Sequence, residues 1–128
     1  MATFAFLGSL AMALAVALGA FGAHALKGTL SAESLGIWET ANRYQVYHGL
    51  GLFAVELVRL WLIQAGKPIP GLLSTTGWLF VAGIVLFCGS LYLLAFTGIR
   101  WLGAITPLGG LSWIIGWLCL AYAIRRGG

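Results

Sequence analysis

The chain carries only seven Lys and Arg, three Asp and Glu and two His, and one apolar run holds the most reactive combination of them: His48, Glu56 and Arg59. Counted from Tyr44, Glu56 lies ~18 Å along a helix, at 1.5 Å per residue. An ionised carboxylate at that depth is costly, so it must be protonated, paired or in contact with water. Arg59 follows three residues later and reaches the same helical face. Two readings follow: a proton or cation site in a minimal transporter or proton-coupled carrier, or an ion pair whose Arg59 stretches to the headgroups. The spacing favours the pair. His48 shares that face two turns away, but the apolar Leu52 interrupts any proton path between them.

With His48, four further polar groups fall near helix ends on one membrane face: His24, Tyr44, Tyr92 and Thr106. A short loop between the first two helices would bring His24 and His48 to similar depth. Paired imidazoles can ligate a metal or haem, or act as acid and base on a lipid or quinone. No His-x-x-x-His or Cys-x-x-Cys pair fixes such geometry locally, so hydrogen bonding to neighbouring carbonyls is the plainer expectation, with no metal and no cofactor. Cys88 and Cys119 lie inside apolar runs, where a thiol behaves as a small hydrophobe. Cys88-Gly89-Ser90 has no base nearby and no Gly-x-Ser-x-Gly elbow occurs. Gly19-Ala20-Phe21-Gly22 lacks the Lys-Ser/Thr ending of a phosphate loop. An enzyme is therefore not the expectation.

The elements that position these groups follow from composition. Hydrophobic residues make up 61% of the 128 and charged ones 8%, against the roughly 25% charged of a water-soluble domain. Lipid must be the solvent. The net charge of +4 is scattered singly, which excludes a nucleic-acid stripe. Arg100 beside Trp101, and Arg125 and Arg126 beyond Tyr122, match the cationic and aromatic belts of helix ends. The expected fold is all-α: an integral membrane four-helix bundle forming a single domain over 1–128, with spans at about 4–26, 44–65, 75–97 and 102–124. A short amphipathic helical segment, capped by Ser31 with Glu33 in its first turn, is expected on the surface before the second span and running into it.

Punctuation supports these bounds. Lys67-Pro68-Ile69-Pro70-Gly71 stops the second span, Gly98 closes the third, and Thr106-Pro107 offers a cap and a first-turn proline to the fourth. The alternative start, a helix from Leu102, would need a kink near Pro107 and Gly109-Gly110. A cleaved leader ending at Ala23-His24-Ala25 is the rival of the first span, but Met1-Ala2-Thr3-Phe4 has no basic beginning. Four spans put both termini beside Lys67, Arg125, Arg126 and a reaching Arg59, against Lys27, Arg43 and Arg100 opposite. That bias expects a multi-pass protein of the cell membrane, bacterial inner-membrane type, with cytoplasmic termini.

In lipid, close backbone approach supplies cohesion. Ala11, Ala15, Gly19 and Ala23 make a small-residue groove on the first span, and Gly109, Ser112 and Gly116 a second on the fourth. These grooves are expected to pack helices within the bundle. They also motivate the leading functional expectation, a non-catalytic module that binds membrane lipids, a protein partner or another copy of itself.

The sequence resembles a known family of small membrane proteins, domain of unknown function 423, which includes the transmembrane protein 256 relatives. The resemblance rests on Gly19-Ala20-Phe21-Gly22-Ala23-His24-Ala25-Leu26, Trp38 with Thr40-Ala41, Tyr44, Tyr47-His48, Phe87-Cys88-Gly89-Ser90-Leu91-Tyr92, and Thr106-Pro107-Leu108-Gly109-Gly110 followed by Gly116-Trp117. It implies a multi-span membrane protein without an assigned activity, and so brings no catalytic residues. His24 and His48 lie inside the matching stretches; Glu56 and Arg59 lie outside them.

Overall fold

The computed structural model describes residues 2–127. Among them there is no strand, and four helical runs are long and apolar enough to cross a membrane: Thr3–Leu26, Ala32–Gln64, Gly71–Thr97 and Arg100–Gly127. The first crossing is α1 (Thr3–Phe21) extended by a π-helical turn, Gly22–Leu26. The second is one helix, α2 (Ala32–Gln64). The third joins α3 (Gly71–Gly83) to α4 (Gly89–Thr97) through a π-helical turn, Ile84–Cys88. The fourth begins as a 3-10 turn, Arg100–Ala104, and continues as α5 (Thr106–Gly127). Pro107 stands in the first turn of α5, where its missing N–H costs nothing.

The helical segment expected before the second crossing does run into it, residues 32–43 being the opening turns of α2, but it is held against α1 instead of lying apart on the surface. Ser31 caps it as anticipated, its Oγ accepting the Ser34 N–H at 3.1 Å. No proline interrupts the 33 residues that follow, giving a rod about 50 Å long. Trp38 and Asn42 hold these turns against α1 by donating to Leu18 and Ala15 carbonyls at 2.9 and 2.6 Å. The helix stops at a Schellman turn: Gly66 takes a positive φ of 65°, while the Gly66 and Lys67 N–H groups bond Ile63 and Leu62 carbonyls. A similar left-handed glycine, Gly98 at φ 71°, ends α4.

α2 and the third crossing form the centre, with α1 against α2 and α5 against the third crossing. Leu52, Val55, Leu62, Leu73 and Phe80 are enclosed between them. Of the small residues, Ala11 and Ala15 are buried, and at Gly109 an added Cβ would meet the Phe87 nitrogen at 2.5 Å. Gly116 packs against Phe80, and Ser112 donates to the Leu79 carbonyl at 2.7 Å. Ala23 does not join its groove and is exposed. Steps of four residues turn about 40° each, so the row drifts about 120° between Ala11 and Ala23. Gly22 returns to within about 20° of Ala11, and it is Gly22 that lies against the Trp38 indole.

Candidate functional site

The polar residues form three groups, not one. In the first, α2 presents Trp38, Asn42 and Gln45, at the i, i+4, i+7 spacing of a single face. Gln45 donates to the Ala11 carbonyl at 2.8 Å and accepts the Tyr92 hydroxyl at 2.7 Å. Asn42 in turn donates to that hydroxyl at 3.2 Å. With the bonds from Trp38 and Asn42 to α1 carbonyls, three donors on α2 ascend as three acceptors on α1 descend, a ladder between antiparallel helices. Neither Asn42 nor Gln45 stood out in the sequence, although their spacing from Trp38 is the signal that identifies them.

The second group surrounds His48. The Trp117 indole N–H donates to His48 Nε2 at 3.1 Å. Because indole can only donate, Nε2 is an acceptor and the ring proton sits on Nδ1, which donates to the Tyr44 carbonyl at 2.8 Å. The imidazole stacks on Trp113 with centroids 3.6 Å apart and planes 3° apart. Trp113 is itself stacked on Tyr44 and donates to the Phe80 carbonyl. Both imidazole nitrogens are thus engaged, so His48 offers no free base. A cleft of ≈550 Å³ lies beside this cluster, between α2 and α5, walled by Tyr44, Tyr47, Phe87, Trp113, Ile114 and Trp117. Tyr47 also borders a hollow of ≈380 Å³ at which Glu39 and Arg43 stand.

His24 joins neither group: it is exposed on the π-helical turn. The matched depth expected of His24 and His48 fails because α2 begins at Ala32, twelve residues before Tyr44, and the bonds from Trp38 to Leu18 and from Gln45 to Ala11 set His48 level with a part of α1 well before His24. Thr106 stands apart as well, bonded to Ser90 at 2.6 Å. Among the described residues no three His, Cys, Asp or Glu side chains gather as a metal cluster. Cys88 is buried, and both thiols are free.

The third group is the ion pair. Arg59 Nε donates to Glu56 Oε1 at 2.7 Å. Glu56 is 5% exposed and stands beside Thr3, Phe4, Ser74 and Trp78, where α1 and α3 begin. This is one end of the bundle, not its middle: depth counted from Tyr44 misleads because α2 extends well beyond Tyr44 on the other side. The geometry therefore matches the paired reading. Oε2 of Glu56 is buried without a hydrogen-bond partner, and leaving such a group unpaired costs about 1–3 kcal/mol or more.

With this geometry in view, comparison with known proteins is decisive on ancestry. The family described as Protein of unknown function (DUF423) matches residues 18–110. The chain belongs to the DUF423 family. A UPF0382 membrane protein of Staphylococcus epidermidis is 50% identical over 98% of both chains. The UPF0382 membrane protein YwdK of Bacillus subtilis is 48% identical over 96% of both, and one from Staphylococcus aureus is 45% identical over 96% of this chain and 95% of its own. No solved structure matches. The DUF423 match takes in Trp38, Asn42, Gln45, His48, Glu56, Arg59 and Tyr92. This is a small multi-pass membrane protein of a family of unknown function, and nothing in the comparisons indicates catalysis or transport.

Proposed function

We propose that the protein is a non-catalytic module of the cell membrane that seats a phospholipid, with an acyl chain in the aromatic cleft between α2 and α5. The carrying observation is the cleft itself: ≈550 Å³ of space with aromatic and aliphatic walls, whose His48, Trp113 and Trp117 nitrogens are already bonded within the protein. Its rim residues Tyr44, Tyr47, Ile114 and Trp117 are exposed. In a bilayer, what meets them at that depth is hydrocarbon. Tyr47 connects this apolar cleft to the hollow at Glu39 and Arg43, whose opposite charges complement a phosphate and an ammonium.

Gly110 provides the test. An added Cβ there meets Phe87 only at 3.8 Å, so Gly110→Leu projects into the cleft without disturbing the backbone. Native mass spectrometry from mild detergent should show a phospholipid on the wild type and roughly tenfold less on the variant. Equal retention by both, a bare wild type, or a second copy or other protein in the lipid's place would overturn the proposal. We further propose cytoplasmic termini, because Arg59, Lys67, Arg125 and Arg126 share their side against Lys27, Arg43 and Arg100. Reporter fusions at both ends should be active only for cytoplasmic placement.

A further inference from the structure

We infer that Glu56 binds an alkylammonium group at the end of the bundle where α1 and α3 begin. Among the described residues, Glu56 Oε2 is the one buried side-chain oxygen or nitrogen without a hydrogen-bond partner. The side chain is 6% exposed, and its other oxygen accepts from Arg59 Nε at 2.7 Å. A cavity of ≈250 Å³ adjoins it, walled by Thr3, Phe4, Arg59, Ser74 and Trp78. Glu56 borders this cavity, and its enclosed, unpartnered Oε2 calls for a donor.

The walls specify which donor. Phe4 and Trp78 meet edge to face with centroids 5.8 Å apart, and aromatic rings attract a cation. A calcium ion would need six to eight oxygen ligands, whereas this site has a single carboxylate and a guanidinium beside it. A primary amine on a short carbon stem fits better: its N–H groups reach Oε2, its charge faces the rings, and its stem fills the apolar part. The amine is supplied either by an ethanolamine phospholipid or by free ethanolamine. This site shares no residue with the aromatic cleft, so either can fail alone.

The chain contains only the glutamates Glu33, Glu39 and Glu56, so the ¹³C carboxyl signal of Glu56 is readily assigned with Glu56→Gln. In nanodiscs of phosphatidylglycerol alone, that signal should shift when phosphatidylethanolamine is included. A shift on adding free ethanolamine as well would support the inference with a soluble amine as source. No shift in either arm, as water alone on Oε2 would give, overturns it. Ser74→Leu narrows the cavity while leaving the Glu56–Arg59 pair intact. Retained phosphatidylethanolamine in native mass spectrometry should fall roughly tenfold, the effect of losing a charge-assisted hydrogen bond; unchanged retention counts against the site.

Discussion

Gln45 has the most to lose from substitution. It is 3% exposed, donates to the Ala11 carbonyl and accepts the Tyr92 hydroxyl. Gln45→Leu keeps the bulk, removes both bonds and leaves the Tyr92 hydroxyl with Asn42 alone. Interhelical hydrogen bonds in membranes are worth about 0.6–2 kcal/mol, so a loss of about 1–2 kcal/mol is expected in detergent unfolding. Tyr92→Phe combined with it should cost less than the two separate losses together, because both remove the same bond. Strict additivity would show that the ladder is not coupled. His48 illustrates how a residue that stands out in sequence can be chemically quiet in place: its stacking on Trp113 and its two satisfied nitrogens could not be read from a histidine in an apolar run.

For the elements, the third crossing tolerates change unevenly along its length. At Gly83 an added Cβ would lie 2.0 Å from the Trp113 indole nitrogen, whereas at Gly89 it would meet nothing within 4 Å. Gly83→Ala should therefore lower the melting temperature in detergent, by the equivalent of about 1–3 kcal/mol of overpacking. Gly89→Ala should leave it unchanged or raise it, since alanine favours helix by about 1 kcal/mol; equal losses at both sites would contradict the packing described. Sequence pattern located the four crossings, the stop before Pro68 and the end of the third crossing at Gly98, because apolar length and turn residues are local signals. It missed the packing of the opening turns of α2, since polar residues 32–43 resemble a surface helix until Trp38 and Asn42 find partners on α1. It also missed the π-helical turn Ile84–Cys88, which has no marker among its apolar letters.

For the whole molecule, the length of α2 sets how the bundle sits in a bilayer. A rod of about 50 Å exceeds the ~30 Å hydrocarbon layer, and Glu33, Glu39 and Arg43 all fall in its first half. Single cysteines at Ser34 and at Leu50, introduced after replacing Cys88 and Cys119 by Ala, should differ in membranes. The first should react with a water-soluble maleimide and the second should not, since Leu50 is an exposed residue two positions from His48, midway along α2. Labelling at Leu50 equal to that at Ser34 would mean that α2 sits at another depth.

The ladder from Trp38, Asn42 and Gln45 to Leu18, Ala15 and Ala11 behaves like a key cut with three teeth. Deleting one residue between Trp38 and Gln45 would swing the remaining tooth or teeth about 100° away from α1, and sliding by a full turn would set the Trp38 indole where only an amide fits. The hairpin of the first two crossings can thus close in a single alignment, and lineages descended from it are free to vary its lipid-facing letters but not the count of residues between those three donors.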